Sequence, residues 1–126
     1  MLTQFCKTCS RLPAWLWFAA ALVVVAPVAF AHTAPVSMVP AANSTVSAPQ
    51  AVTMHFSGAL EPKFSSITVT DAAGHTVNKE NSKVGADTKV MSVDLPPLAP
   101  GVYTVHWVGV STDTHREQGE YKFTVK

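Results

Sequence analysis

Residues 102–110 read Val-Tyr-Thr-Val-His-Trp-Val-Gly-Val, and this stretch decides the fold class. Apolar and polar side chains alternate along it, so that Tyr103, Val105 and Trp107 share one face while Thr104 and His106 share the other. Alternation with a period of two is the pattern of a β-strand that buries one face. We therefore predict a strand at Val102–Val110.

The chain after residue 32 repeats this pattern in shorter runs separated by Pro, Gly, Asn and Asp, as is typical of an all-β sandwich or barrel. Large apolar residues on one face of these runs are expected in the core, namely Phe56, Phe64, Tyr103, Trp107 and Phe123. The other predicted segments are an edge strand at 35–40, strands at Ala51–Phe56, Phe64–Asp71, His75–Val77, Lys89–Leu95 and Gly119–Lys126, and loops at 78–88 and Ser111–Gln118.

The N-terminal region has the features of a secretory signal peptide. Lys7 and Arg11 precede a charge-free apolar stretch, which ends in the small-residue cleavage pattern Ala29-Phe30-Ala31. We predict a signal peptide at 1–31 and a single secreted domain at 32–126, with no membrane insertion after cleavage. The alternative is an uncleaved anchor, but Pro27 interrupts a stretch that only just reaches the ~20 residues needed to span a bilayer.

Charge and cysteine content exclude several classes of function for the predicted domain. Without Lys7 and Arg11 it carries seven basic and eight acidic residues, which offers no electrostatic footprint for nucleic acid. Both cysteines, Cys6 and Cys9, also lie in the leader, so the domain has no disulfide, thiolate metal site or cysteine nucleophile.

Cleavage after Ala31 makes His32 the first residue, and its α-amine and imidazole can chelate one metal ion. Asp113 and His115 are two positions apart, so in an extended segment both side chains point to the same side. Three nitrogens and one oxygen form a donor set that favours Cu(II) over zinc or calcium. Whether Glu61 or His55 adds to this site stays open.

The sequence resembles the CopC family of small secreted copper-binding proteins over nearly all of residues 32–126. The resemblance rests on the predicted N-terminal His32, on Val39-Pro-Ala41, and on Val52–Ser57 ending in Phe-Ser. Further marks are Leu98-Ala-Pro-Gly-Val-Tyr103, Trp107, Val110-Ser-Thr-Asp-Thr-His115, Gly119 and Phe123.

This resemblance implies a seven-stranded Greek-key, immunoglobulin-like β-sandwich that binds one Cu(II) ion through His32, Asp113 and His115. It also implies a role in copper resistance or homeostasis in the periplasm, in which the protein carries or buffers copper, with a CopD-type inner-membrane protein as the candidate partner. Two departures stand out. Gly58 replaces a glutamate that some members carry after Phe-Ser, and Asp71–Lys89 contains no methionine, which argues for a Cu(II)-only type.

Two other classes of function are compatible with parts of this pattern. Copper-dependent polysaccharide monooxygenases also hold their metal with an N-terminal histidine, but Asp113 would occupy a coordination position and the domain is small for a polysaccharide platform. A metal-free immunoglobulin-like module would explain the strands but not the combination of His32, Asp113 and His115. We therefore predict a copper-binding protein that is not an enzyme.

Overall fold

The computed structural model describes residues 33–126, so the predicted signal peptide and His32 lie outside the described residues. The described chain forms two four-stranded sheets, in the orders β1-β3-β6-β5 and β2-β8-β7-β4. This arrangement confirms the predicted β-sandwich. The strands are Pro35–Val39 (β1), Thr45–Val46 (β2), Ala51–Phe56 (β3), Ser66–Thr70 (β4), Lys83–Val84 (β5), Val90–Asp94 (β6), Gly101–Val110 (β7) and Arg116–Val125 (β8). No helix in this part of the chain is long and apolar enough to cross a bilayer.

The core fills the space between the sheets with the inward side chains of each alternating run. Phe56, Tyr103 and Phe123 are buried as predicted, and Trp107 packs against the core from a half-buried position. Met54 and Met91, which face each other between β3 and β6, have no exposed surface. The remaining buried apolar residues are Val52, Leu60, Ile67, Val69, Val93, Leu95, Val105 and Val125.

The prediction that Phe64 belongs to the core is wrong, because its side chain is 65% exposed. It lies in a turn before β4, where its amide donates to the Glu61 carbonyl at 3.2 Å. The inward positions of this strand are Ile67 and Val69, and Phe64 has the opposite parity. The buried residue beside it is Ser65, whose hydroxyl accepts a hydrogen bond from the Val110 amide at 3.0 Å.

The strand predicted at His75–Val77 forms only a single bridge between Thr76 and Thr70. Side chains from the following loop take its place at the edge of β4. The Val69 amide donates to Asn78 Oδ1 at 2.7 Å, and the Ile67 amide donates to Ser82 Oγ at 2.8 Å. Side-chain oxygens thus accept hydrogen bonds from β4 amides that a strand at His75–Val77 would otherwise pair.

Two strands of two residues each, β2 and β5, fall in segments that show no alternation in sequence. β2 pairs in parallel with the end of β8, and β5 pairs with β6 inside the loop predicted at 78–88. The described part of the chain therefore has eight strands, which is compatible with the seven-stranded arrangement implied by the family resemblance. The edge strand predicted at 35–40 is present as β1.

The hairpin of β7 and β8 is the longest paired unit, with ten registered pairs from Gly101 and Val125 to Val110 and Arg116. The predicted loop Ser111–Gln118 is therefore too long, because β8 begins at Arg116. Residues 116–118 pair with Val108–Val110, so the ladder continues through a segment for which the polar composition predicted a loop. What remains of that loop is a tight connection at Ser111–His115.

Gly119 lies opposite Trp107 in this hairpin, and a methyl group there would lie 3.0 Å from Trp107 Cζ2. The indole is held in place on its other side by an edge-to-face contact with Phe56, with ring centroids 5.6 Å apart. We expect Gly119→Ala to lower the free energy of unfolding by about 1–3 kcal/mol in a denaturant titration, because the indole must shift.

Gly85→Ala is the matched control, since the nearest atoms to its added methyl group lie at 3.7 Å. Equal stabilities for the two variants would show that the indole can move without loss of packing.

Candidate metal centre

The connection between β7 and β8 is a tight turn that presents Asp113 and His115 at its tip. The Thr114 amide donates to the Ser111 carbonyl at 2.9 Å, and the Ser111 amide donates to the His115 carbonyl at 2.9 Å. Thr114 adopts the left-handed region with φ of 72°. A turn followed by a left-handed residue is a common way to close a short hairpin loop.

Asp113 accepts hydrogen bonds from its neighbours on both carboxylate oxygens. The Ser111 hydroxyl donates to Oδ1, which also lies 3.4 Å from the His115 amide nitrogen, and Oδ2 lies 3.0 Å from His115 Nδ1. These contacts, with that from Ser111 the largest, hold the pKa of Asp113 below its ordinary value. The carboxylate and imidazole thus converge as an ionised oxygen donor beside a nitrogen donor.

Both side chains remain open to solvent, with 51% of Asp113 and 69% of His115 exposed. An extended segment would point residues i and i+2 to the same side, which predicts that the two side chains meet. The structure brings them together through a turn instead. Ser111, which the sequence analysis did not assign to the site, is the buried residue that organises this turn. Its signal in the sequence is a hydroxyl two positions before an aspartate.

The first described residues lie at the same end of the sandwich as this turn. The Ala34 amide donates to Ser57 Oγ at 3.1 Å, and the Ser57 amide donates back to the Ala34 carbonyl at 2.9 Å. Three residues further on, Leu60 forms a β-bridge with Ser111. The segment 57–60 therefore joins the start of the described chain to the base of the Asp113 and His115 turn.

Glu61 and His55 occupy different places relative to this turn. The Glu61 amide donates to the Val110 carbonyl at 2.7 Å, so its backbone lies at the root of the turn. His55 is exposed near the end of β3, with Val90 opposite it in the ladder.

The other two described histidines lie elsewhere on the surface. His75 Nδ1 is 3.5 Å from Asp71 Oδ2, and His106 lies between Thr70 and Glu120 at 3.2 Å from each. Asp71 lines a cleft with Gly101, at the opposite end of β7 from Ser111. Within residues 33–126, no three His, Cys, Asp or Glu side chains gather into a group that could hold a metal ion.

Comparison with known proteins identifies the family. The model of the CopC domain matches residues 35–126. The chain belongs to the CopC family. Copper resistance protein C from Escherichia coli is 43% identical over 107 residues, which cover 78% of this chain and 84% of that protein.

Solved structures of CopC proteins share the fold. CopC from Methylosinus trichosporium OB3b superposes with a TM-score of 0.70 at 37% identity, covering 75% of this chain and 94% of that one. PcoC, a methionine-rich copper resistance protein from Escherichia coli, gives a TM-score of 0.69 at 39% identity, covering 76% of this chain and 100% of that one.

The turn carries backbone strain at Thr114, because β-branched residues rarely adopt positive φ. Asparagine tolerates this region, so we expect Thr114→Asn to raise the free energy of unfolding by about 1 kcal/mol in a denaturant titration. Thr112→Asn, in the same turn but outside the left-handed region, should change it little. A Thr114→Asn variant no more stable than Thr112→Asn would contradict this account of the turn.

Proposed function

We propose that this CopC-family chain binds one Cu(II) ion per molecule through His32, Asp113 and His115, and that it carries or buffers copper in copper resistance. The observation that supports this most is the anchoring of Thr33, the residue directly after His32. Thr33 is 3% exposed, and it lies in the segment that bonds to Ser57, close to the turn that holds Asp113 and His115.

The spacing of Asp113 and His115 suits two neighbouring ligands of one ion. Nitrogen and oxygen ligands of a first-row metal lie about 2.0–2.1 Å from it, so two of them at right angles are about 2.9 Å apart. Asp113 Oδ2 and His115 Nδ1 lie 3.0 Å apart, and copper would displace the Nδ1 proton that is shared between them in the metal-free protein. The amine and imidazole of His32 would add two further nitrogens, which gives the tetragonal nitrogen and oxygen set that favours Cu(II).

The methionines of the described chain do not offer a comparable site for Cu(I). Met54 and Met91 are fully buried, and Met38 packs against the core. The segment Asp71–Lys89 contains no methionine at all. Soft thioether ligands select Cu(I), so their burial supports a Cu(II)-only assignment.

We further propose that export and cleavage after Ala31 create the amine donor in the periplasm, and that a CopD-type membrane protein is the partner that receives or supplies copper. Exposed ligands at one end of the sandwich suit exchange of the ion with such a partner. We propose no catalytic step, since Asp113 takes a coordination position that an oxygen-activating copper enzyme keeps open.

His115→Ala tests the ligand assignment. Loss of even an outer contact to a metal ligand typically costs 10- to 100-fold in affinity, so we expect loss of the ligand itself to weaken Cu(II) binding by more than about 100-fold. The measurement is a competitive calorimetric titration of protein that begins at His32.

His75→Ala is the matched control, because His75 also pairs with an aspartate, but that aspartate lies at the opposite end of β7 from the turn. It should bind Cu(II) like the wild type. A version with one alanine added before His32 removes the α-amine chelate and should bind as weakly as His115→Ala. Wild-type affinity in His115→Ala would refute the assignment.

A further inference from the structure

Gly58 lies directly against the buried side chain of Thr33. A methyl group at Gly58 would be 2.9 Å from Thr33 Oγ1 and 3.7 Å from both Thr33 Cβ and Cγ2. A Cβ atom essentially never lies this close to an atom to which it is not bonded, so Thr33 Oγ1 occupies the space that a side chain at position 58 would take. The φ of Gly58 lies outside the left-handed region, so contact and not backbone conformation is what demands glycine here.

The backbone on either side of this contact is held by paired hydrogen bonds. Ala34 follows Thr33 and exchanges two bonds with Ser57, at 3.1 Å and 2.9 Å. Ala59 follows Gly58, and its carbonyl accepts from the Thr112 amide at 3.3 Å. The contact between Thr33 and Gly58 therefore sits between the start of the domain and the turn that carries Asp113.

We propose that Gly58 is a positioning residue for copper, and that its missing side chain seats Thr33 so that the chain end before it faces Asp113 and His115. This inference rests on the proposed function. Gly58 has no donor atom of its own, so it acts only through the position of Thr33.

The physical basis is the entropy of a chain terminus. Terminal residues usually fray, and ordering them on binding costs free energy. With Thr33 buried and Ala34 bonded to Ser57, the chain from Thr33 onward is already ordered before copper binds. A seated terminus therefore raises affinity by reducing the cost of binding.

A double-mutant cycle isolates this contact, using protein that begins at His32. Gly58→Ala forces Thr33 out of its seat and should weaken Cu(II) binding about tenfold, as expected for a group that supports a ligand without touching the metal. Thr33→Ala removes Oγ1 and leaves its Cβ at an ordinary 3.7 Å from the new methyl group. The double variant should therefore bind no more weakly than Thr33→Ala alone. Gly85→Ala, whose added methyl group meets nothing closer than 3.7 Å, is the control and should bind like the wild type.

Amide exchange of Ala34 in the metal-free protein provides a second readout that does not depend on copper. Gly58→Ala should speed this exchange, and adding Thr33→Ala should restore it, because the Ala34 amide depends on the same seat.

Three results separate the outcomes. Wild-type affinity in Gly58→Ala, while His115→Ala has lost binding, would overturn this inference and leave the proposed function standing. If Gly58→Ala weakens Cu(II) binding by the same factor in the wild type and in the Thr33→Ala variant, the inference is overturned too, since the effect would not depend on the Thr33 side chain. If the wild type binds Cu(II) no better than His115→Ala, the proposed function fails and this inference fails with it.

Discussion

The antiparallel ladder between β7 and β8 is the constraint on which the rest of the structure depends. Its ten pairs run from Gly101 and Val125 to Val110 and Arg116, where the chain has to reverse within a few residues. The tight reversal places Ser111 under the turn and leaves Asp113 and His115 exposed at its tip. The same pairing that stabilises the fold thus presents the two side chains, with no separate scaffold needed.

A second constraint is the convergence of three segments at this end of the sandwich. The first described residues bond to Ser57, and the segment after Ser57 bridges to Ser111. Three stretches that are distant in sequence are therefore held together by backbone hydrogen bonds and by the Ser57 hydroxyl. The proposed metal site would combine a well-positioned backbone with solvent-exposed donors, which suits a cargo that must be released.

Much of this architecture can be predicted from the sequence, because alternation reports directly on which face of a strand is buried. The strands around Met54, Met91 and Val105 follow from that rule, and so does their place in the core. The same parity places Phe64 outside, so the error there came from weighing its size above its position. The two-residue strands have no period to detect, and their pairing depends on neighbours that are remote in sequence.

The candidate site, like the fold, can be predicted from the sequence only in part. The residue types and their spacing predict Asp113 and His115 as ligands. The two side chains meet because the chain turns with Thr114 at positive φ, and the assumption of an extended segment does not predict that turn. The role of Ser111 emerges only once its burial and its bond to Asp113 are known. The packing of Thr33 on Gly58 is invisible in sequence, since it joins two segments 25 positions apart.

Pulsed electron paramagnetic resonance of the Cu(II)-loaded protein that begins at His32 tests the central claim most directly, because it counts the imidazoles bound to the ion. The account predicts two equatorial imidazoles and one further nitrogen from an amine, on a single copper per chain. A spectrum with one imidazole, or with a nitrogen count unchanged when both Asp113 and His115 are replaced by alanine, would contradict it.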